Sequence, residues 1–253
     1  MQLRLDGIGK TYGLTQAIGS VTLDVPAGSF TAIVGPSGCG KSTLLQIAAG
    51  LIPASAGTVT LDGTAVTAPP AGVVYLFQQY SRSLLPWRSV LGNVLFAIEH
   101  HGLPRAEARA RAMHHIAGVG LETFARHYPW QLSGGMQQRV AIARALTAEP
   151  KILMLDEPFS SVDALTRLDL HALMLDLWAR HRMTVLLVTH DVDEAVYLAD
   201  RVAVLTHRPS HMAEVLETDL PRPRDALATR ALPRFLELRH HILSQLLRRP
   251  DAA

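Results

Sequence analysis

Residues 35–43, "GPSGCGKST", stand between the apolar run "FTAIV" and the equally apolar "LLQIAAGL". Glycine weakens helices and strands alike, so three of them at a strand-to-helix handover serve something other than stability. The spacing G-x-x-x-x-G-K-[ST] is that of a loop whose main-chain N–H groups surround nucleotide phosphates. Such a loop needs a buried strand ahead of it and a helix behind it. A chain built around it is an α/β protein with its ligand groups at the carboxyl ends of the strands.

The rest of the pattern agrees. "LRLDGI", "VTLDV", "FTAIV", "TVTLDG" and "VVYLF" read as strands bounded by Gly, Pro and Ala-Gly turns. From residue 90 to 148 the apolar residues fall at three- and four-residue spacing, in "SVLGNVLFAIEHHG", "PRAEARARAMHHIAGVG" and "GGMQQRVAIARALTAEP", which predicts helices. Strands return in "KILMLDEP" and "TVLLVTHD", separated by a helix at about 164–181, and then in "VAVLTH" and "AEVLET". Apolar strands alternating with helices indicate a mostly parallel sheet covered on both faces. The helical block, about 85–150, is expected as a lobe inserted into that core. Residues 223–253 are expected as a tail whose helix starts near Pro233, with Leu232, Phe235, Leu236, Ile242, Leu243 and Leu246 on one side, for packing or dimerisation.

Composition excludes several classes. The net charge of +2, from 24 basic and 22 acidic residues, implies neither nucleic acid nor acidic lipid. A single cysteine, Cys39, rules out an internal disulfide and fits a reducing compartment. The N-terminal "MQLRLDGIGKTYG" has no secretory pattern. No stretch reaches the roughly 18 apolar residues of a membrane span. The expectation is a cytosolic chain that meets a membrane only through a partner.

Chemistry concentrates in three places. The loop Gly35, Pro36, Ser37, Gly38, Cys39, Gly40, Lys41, Ser42 and Thr43 offers amides from Gly38 to Thr43, the Lys41 ammonium for the β- and γ-phosphates, and the Ser42 hydroxyl for Mg²⁺. "ILMLDEP" ends an apolar strand in acid: Asp156 suits the metal, and Glu157 suits a general base on the water that attacks the γ-phosphate. In "LSGGMQQRVAIARAL", Ser133 caps a helix that opens on Gly134 and Gly135, a second phosphate-binding surface free of obstructing side chains. One chain with two such surfaces makes sense if the second completes the site of another copy.

With these motifs the sequence resembles the ATP-binding cassette (ABC) ATPases over nearly its whole length. The resemblance implies a P-loop, RecA-like sheet core with an N-terminal antiparallel β lobe and an inserted helical lobe. The single cassette would span 1–222. It places Tyr12 of "KTYG" on adenine, Gln78 of "LFQQY" on Mg²⁺ and attacking water, Asp163 of "SSVD" against the opposite chain and His190 of "TVLLVTH" on the γ-phosphate. Gln79 is adjacent to Gln78, which is favoured because it follows Phe77. "SSVD" departs from the family's usual Ser-Ala-Leu-Asp at Ser161 and Val162, which is expected to adjust the dimer seam. The histidine pairs 100–101, 114–115 and 240–241 make poor metal sites, because adjacent helical positions point apart, and are expected as solvated faces.

The resemblance implies ATP and Mg²⁺ as ligands, head-to-tail dimer closure on ATP, and hydrolysis. "SLLPWRSVLGNVLF" and "VTHDVDEAVYLADRVAVLTHRP" resemble the nitrate, sulfonate and taurine importer group. That group implies integral membrane permease subunits as partners, a place on the cytoplasmic side of the inner membrane, and an external solute-binding protein that sets substrate choice. The alternative is a soluble ABC ATPase acting in iron–sulfur cluster assembly or another role outside transport.

Overall fold

The computed structural model describes residues 1–78 and 83–247. The chain forms two compact units, Met1–Ala71 with Arg182–Ala253, and Gly72–His181. Strands and helices are numbered along the chain. The first unit holds β1 (Leu3–Tyr12), β2 (Thr15–Val25), β3 (Phe30–Val34), α1 (Lys41–Ala48), β4 (Ala56–Leu61) and β5 (Thr64–Ala65). The second holds β6 (Val73–Leu76), α2 (Val90–Leu95), α3 (Arg105–Gly118), α4 (Gly134–Thr147), β7 (Ile152–Asp156) and α5 (Ala164–His181). The first resumes with β8 (Thr184–Val188), α6 (Val192–Leu198), β9 (Arg201–Leu205), β10 (Ser210–Glu217) and α7 (Pro233–Leu247).

In the first unit the strand order is β5-β4-β1-β2-β10-β9-β3-β8. β3 is buried at all five positions and pairs in parallel with β8 and β9, Ile33 lying opposite Val188 and Ala203. A strand covered on both faces has no polar face to alternate with, which is why "FTAIV" reads as a continuous apolar run. β1, β2, β4 and β5 pair antiparallel. β10 joins the two arrangements, running parallel to β2 and antiparallel to β9. The sheet is therefore mixed, with its parallel part behind the glycine loop.

α6 is absent from the helices expected from sequence. At seven residues it is too short to show a clear period, and its start is fixed by Asp191, whose carboxylate accepts from the Glu194 amide at 3.1 Å. Its end is fixed from outside: the buried Arg224 guanidinium donates to the carbonyls of Tyr197 and Ala199 at 2.5 and 2.9 Å. Desolvation lowers the Arg224 pKa to about 10. α7 begins at Pro233 as expected, but its buried stripe is Phe235, Leu238 and Ile242. Leu236, expected on that side, is 48% exposed. The packed residues follow i, i+3, i+7, and Leu236 lies a quarter turn away. Arg239 pairs with Asp193 of α6 at 3.3 Å.

In the second unit β6 and β7 pair in parallel, Tyr75 opposite Met154. The buried Asn93 organises the segment ahead of α2: its Nδ2 donates to the carbonyls of Leu85, Arg88 and Ser89, and its Oδ1 accepts from the Leu85 amide at 2.8 Å. This buries Leu84 and leaves Trp87 exposed. His115 corrects the expectation of solvated histidine pairs. It is buried against the His181 ring, with centroids 5.4 Å apart, and desolvation lowers its pKa to about 4. No helix among the described residues is long and apolar enough to cross a membrane.

Candidate functional site

The glycine loop leaves β3 and enters α1 through two left-handed glycines, Gly38 (φ 73°) and Gly40 (φ 105°). A Cβ on Gly40 would lie 3.1 Å from Ile18 Cγ1, and one on Gly35 would lie 2.9 Å from Cys39 Sγ, so the turn closes only without side chains there. A Cβ on Gly38 would meet nothing within 4 Å, so its main chain borders open space. Gly40 gives α1 no side-chain cap, which leaves the opening amides of the helix available to an anion. Lys41 is 5% exposed and donates to the carbonyls of Gly35 and Pro36 at 2.9 and 3.0 Å, with no carboxylate paired to it among the described residues. A buried ammonium without a counter-charge beside uncapped helical amides fits a phosphate group. Cys39 is buried and burial pushes its thiol pKa up, with Lys41 opposing. Its amide is taken by Pro36 O at 3.3 Å, so Cys39 shapes the loop from behind.

In the second unit, Asp156 ends β7 at 5% exposure and its Oδ2 accepts from the Tyr75 hydroxyl at 2.8 Å. Glu157 follows in the left-handed region (φ 44°), a conformation that costs a side-chain-bearing residue roughly 1 kcal/mol or more and that gathers at functional sites. Its Oε2 accepts from Gln78 Nε2 at 3.2 Å. The Ser160 hydroxyl donates to the Glu157 carbonyl at 3.0 Å, holding the turn closed. Ser133 caps α4, its Oγ accepting from the Met136 amide at 3.3 Å. A Cβ on Gly135 would lie 2.4 Å from Thr166 Cγ2, so only glycine allows this approach. Thr166 is in turn held by Asp163: Oδ1 takes its amide at 3.0 Å and Oδ2 its hydroxyl at 2.6 Å. Those bonds keep the Asp163 carboxyl below its usual pKa.

The ABC transporter family model matches residues 18–160. The chain belongs to that family. It is 44% identical over 254 residues to the nitrate import ATP-binding protein NrtD of Synechococcus elongatus, covering 98% of this chain and 92% of that one. It is 49% identical over 216 residues to the aliphatic sulfonates import ATP-binding protein SsuB 2 of Burkholderia cenocepacia, covering 85% and 78%. A solved dimeric ATP-binding cassette in a post-hydrolysis state, bound to ADP and Pi, superposes with a TM-score of 0.74 at 32% identity, covering 85% of this chain and 98% of that one.

Within this ABC cassette the structure brings together some of the residues singled out from sequence. Gln78 and Glu157 meet directly. Gln79 lies outside the described residues. Tyr12 is 51% exposed at the end of β1, with the Lys10 ammonium 5.0 Å from its ring centroid. His190 is exposed after β8, between Thr189, whose amide donates to Ile33 O, and the capping Asp191. Asp163 spends both oxygens on its own helix start, a task its spacing to Thr166 could have shown.

Two contributors escaped the sequence reading. Tyr75 was read only as a strand residue, although a tyrosine in a covered strand needs a hydroxyl partner. Gln138, fully buried on α4, donates to the carbonyl of Pro158, next to Glu157. Nothing short of the packing of α4 against that turn identifies it.

Proposed function

We propose that this chain is the ATP-hydrolysing subunit of a bacterial importer that takes up a small anionic solute of the nitrate, aliphatic sulfonate or taurine type. The observation that carries the reading is the near full-length alignment with subunits named for nitrate and aliphatic sulfonate import. The single cassette spans residues 1–222. It sits on the cytoplasmic face of the inner membrane, bound to separate permease subunits, and an external solute-binding protein selects the cargo.

In this proposal Lys41 and the amides of Gly38 and of Gly40 to Thr43 hold the triphosphate, Tyr12 stacks on adenine and His190 contacts the γ-phosphate. Glu157 takes the proton of the attacking water. The Gln78 amide fixes the carboxylate that does so, and the left-handed turn aims it. Mg²⁺ is assigned to Ser42, Gln78 and Asp156, which supply a hydroxyl, an amide oxygen and a carboxylate of the kind this hard cation takes; when bound it neutralises phosphate charge. The Tyr75 hydroxyl holds one Asp156 oxygen in place. Ser133, Gly134 and Gly135 serve the triphosphate of a second copy, and Asp163 lies on the seam.

The test is to co-purify the membrane-embedded subunits that bind this chain and to reconstitute the complex in vesicles with a matching solute-binding protein. ATP-dependent uptake of nitrate or a sulfonate is the expected result. Assembly with cluster scaffolds and no uptake would overturn it. For the shared site, Ser133→Arg is expected to abolish hydrolysis while the monomer still binds ATP; a hydrolytically active, enforced monomer would refute the sharing.

A further inference from the structure

A cavity of about 560 Å³ opens in the first unit beside the β9–β10 turn, within the volume range of small-molecule sites. Val204, Leu205, Pro209, Ala213 and Leu246 make it mainly apolar. The charged or titratable groups lining it are Arg208, His207 and His211, with no carboxylate among the described residues. Of the glycine loop only Pro36 reaches it, so it is separate from the amides of residues 38–43.

The basic groups stand in a rigid frame. The Thr206 amide donates to His211 O at 3.0 Å, and the His211 amide donates to Thr206 Oγ1 at 2.9 Å, which closes the turn on itself. Gly19 makes room for the His211 imidazole, since a Cβ there would lie 2.4 Å from its Cε1. Arg208 Nη2 donates to Gly38 O at 2.7 Å, while Nε and Nη1 have no acceptor among the described residues. Nη2 spends one hydrogen on that carbonyl, and its second hydrogen with a neighbouring N–H leaves one two-nitrogen edge of the guanidinium for a carboxylate or sulfonate. Gln245 also lines the cavity; its Nε2 lies 3.1 Å from His241 Nε2, and its Oε1 is shielded and unpartnered among the described residues.

We propose that this cavity binds a small amphipathic anion, its aliphatic body against Leu205, Pro209 and Leu246 and its acidic head on the free edge of Arg208. The probe is octanoate, titrated into the full chain by calorimetry, with His207 and His211 ring protons followed by NMR. Saturable binding that shifts both rings, and is at least tenfold tighter than that of octanol or inorganic sulfate, is expected. Arg208→Gln should erase the preference for octanoate over octanol. Ala213→Leu should narrow the cavity and weaken binding of both while ATP binding persists. No saturable binding, equal affinity for octanol, or unchanged affinity in Ala213→Leu would each overturn the proposal.

Discussion

In the proposed mechanism the glycine loop and the Asp156–Glu157 turn are assigned complementary halves of the chemistry, yet they are built from different material. The loop is made of backbone: two left-handed glycines, an uncapped helix start, and a lysine held on the carbonyls of its own loop. The acidic turn is made of side chains from three elements, with Tyr75 on Asp156, Gln78 on Glu157 and Gln138 on the neighbouring carbonyl. A backbone-built site needs only local sequence, since each conformation is set by residue type. A side-chain-built site needs strands and helices far apart in the chain to be docked first.

This contrast is open to attack at both ends. The largest effect is expected at Glu157→Gln, which should cut ATP hydrolysis by roughly 10²- to 10⁴-fold while leaving nucleotide binding near wild type; turnover close to wild type would remove Glu157 from its role. Next is Gly40→Ala, which forces a Cβ against Ile18 at a φ that L-residues avoid. A strain of about 1–3 kcal/mol should weaken ATP binding by roughly five- to a hundred-and-fiftyfold, measured by titration calorimetry. Unaltered affinity would mean the loop tolerates side chains and is not backbone-defined.

Tyr75→Phe sharpens the comparison from the other side. It removes one hydrogen bond to a buried carboxylate, worth about 1–2 kcal/mol, so hydrolysis should fall about five- to thirtyfold with ATP affinity retained. An equal loss of affinity and rate would show Asp156 acting through general packing.

The smallest effect lies outside the site, at His115. Its folded-state pKa of about 4 is below the ordinary 6.5, because burial and the facing His181, His114 and Arg111 all oppose charging. The unfolded chain therefore binds the proton first, and stability is expected to fall as the pH drops from 6.5 towards 4. His115→Leu should flatten that slope in thermal melts; an unchanged slope would place the acid sensitivity elsewhere.

Particular residues show why some of this was legible. "FTAIV" and "GPSGCGKST" declared strand, loop and helix through burial without alternation and through glycine spacing, and β3 and α1 lie where that pattern put them. Ser133 was readable as a cap because the Met136 amide it serves is three residues on. α6 was not readable, because its C-terminal end is secured by Arg224, 26 positions beyond its last residue. Leu236 and His115 were misassigned for one reason: which stripe of a helix is covered depends on what packs against it.

By itself the sequence determined the parts set by local sterics and spacing, namely the glycine loop, the Ser133 cap, the acid at a strand's end and the family. Tertiary structure alone decided that Tyr75 meets Asp156, that Gln138 supports the turn beside Glu157, and that His115 is buried. The physical reason is range: a backbone angle is chosen by one residue, whereas a buried polar contact exists only after distant elements have closed over it.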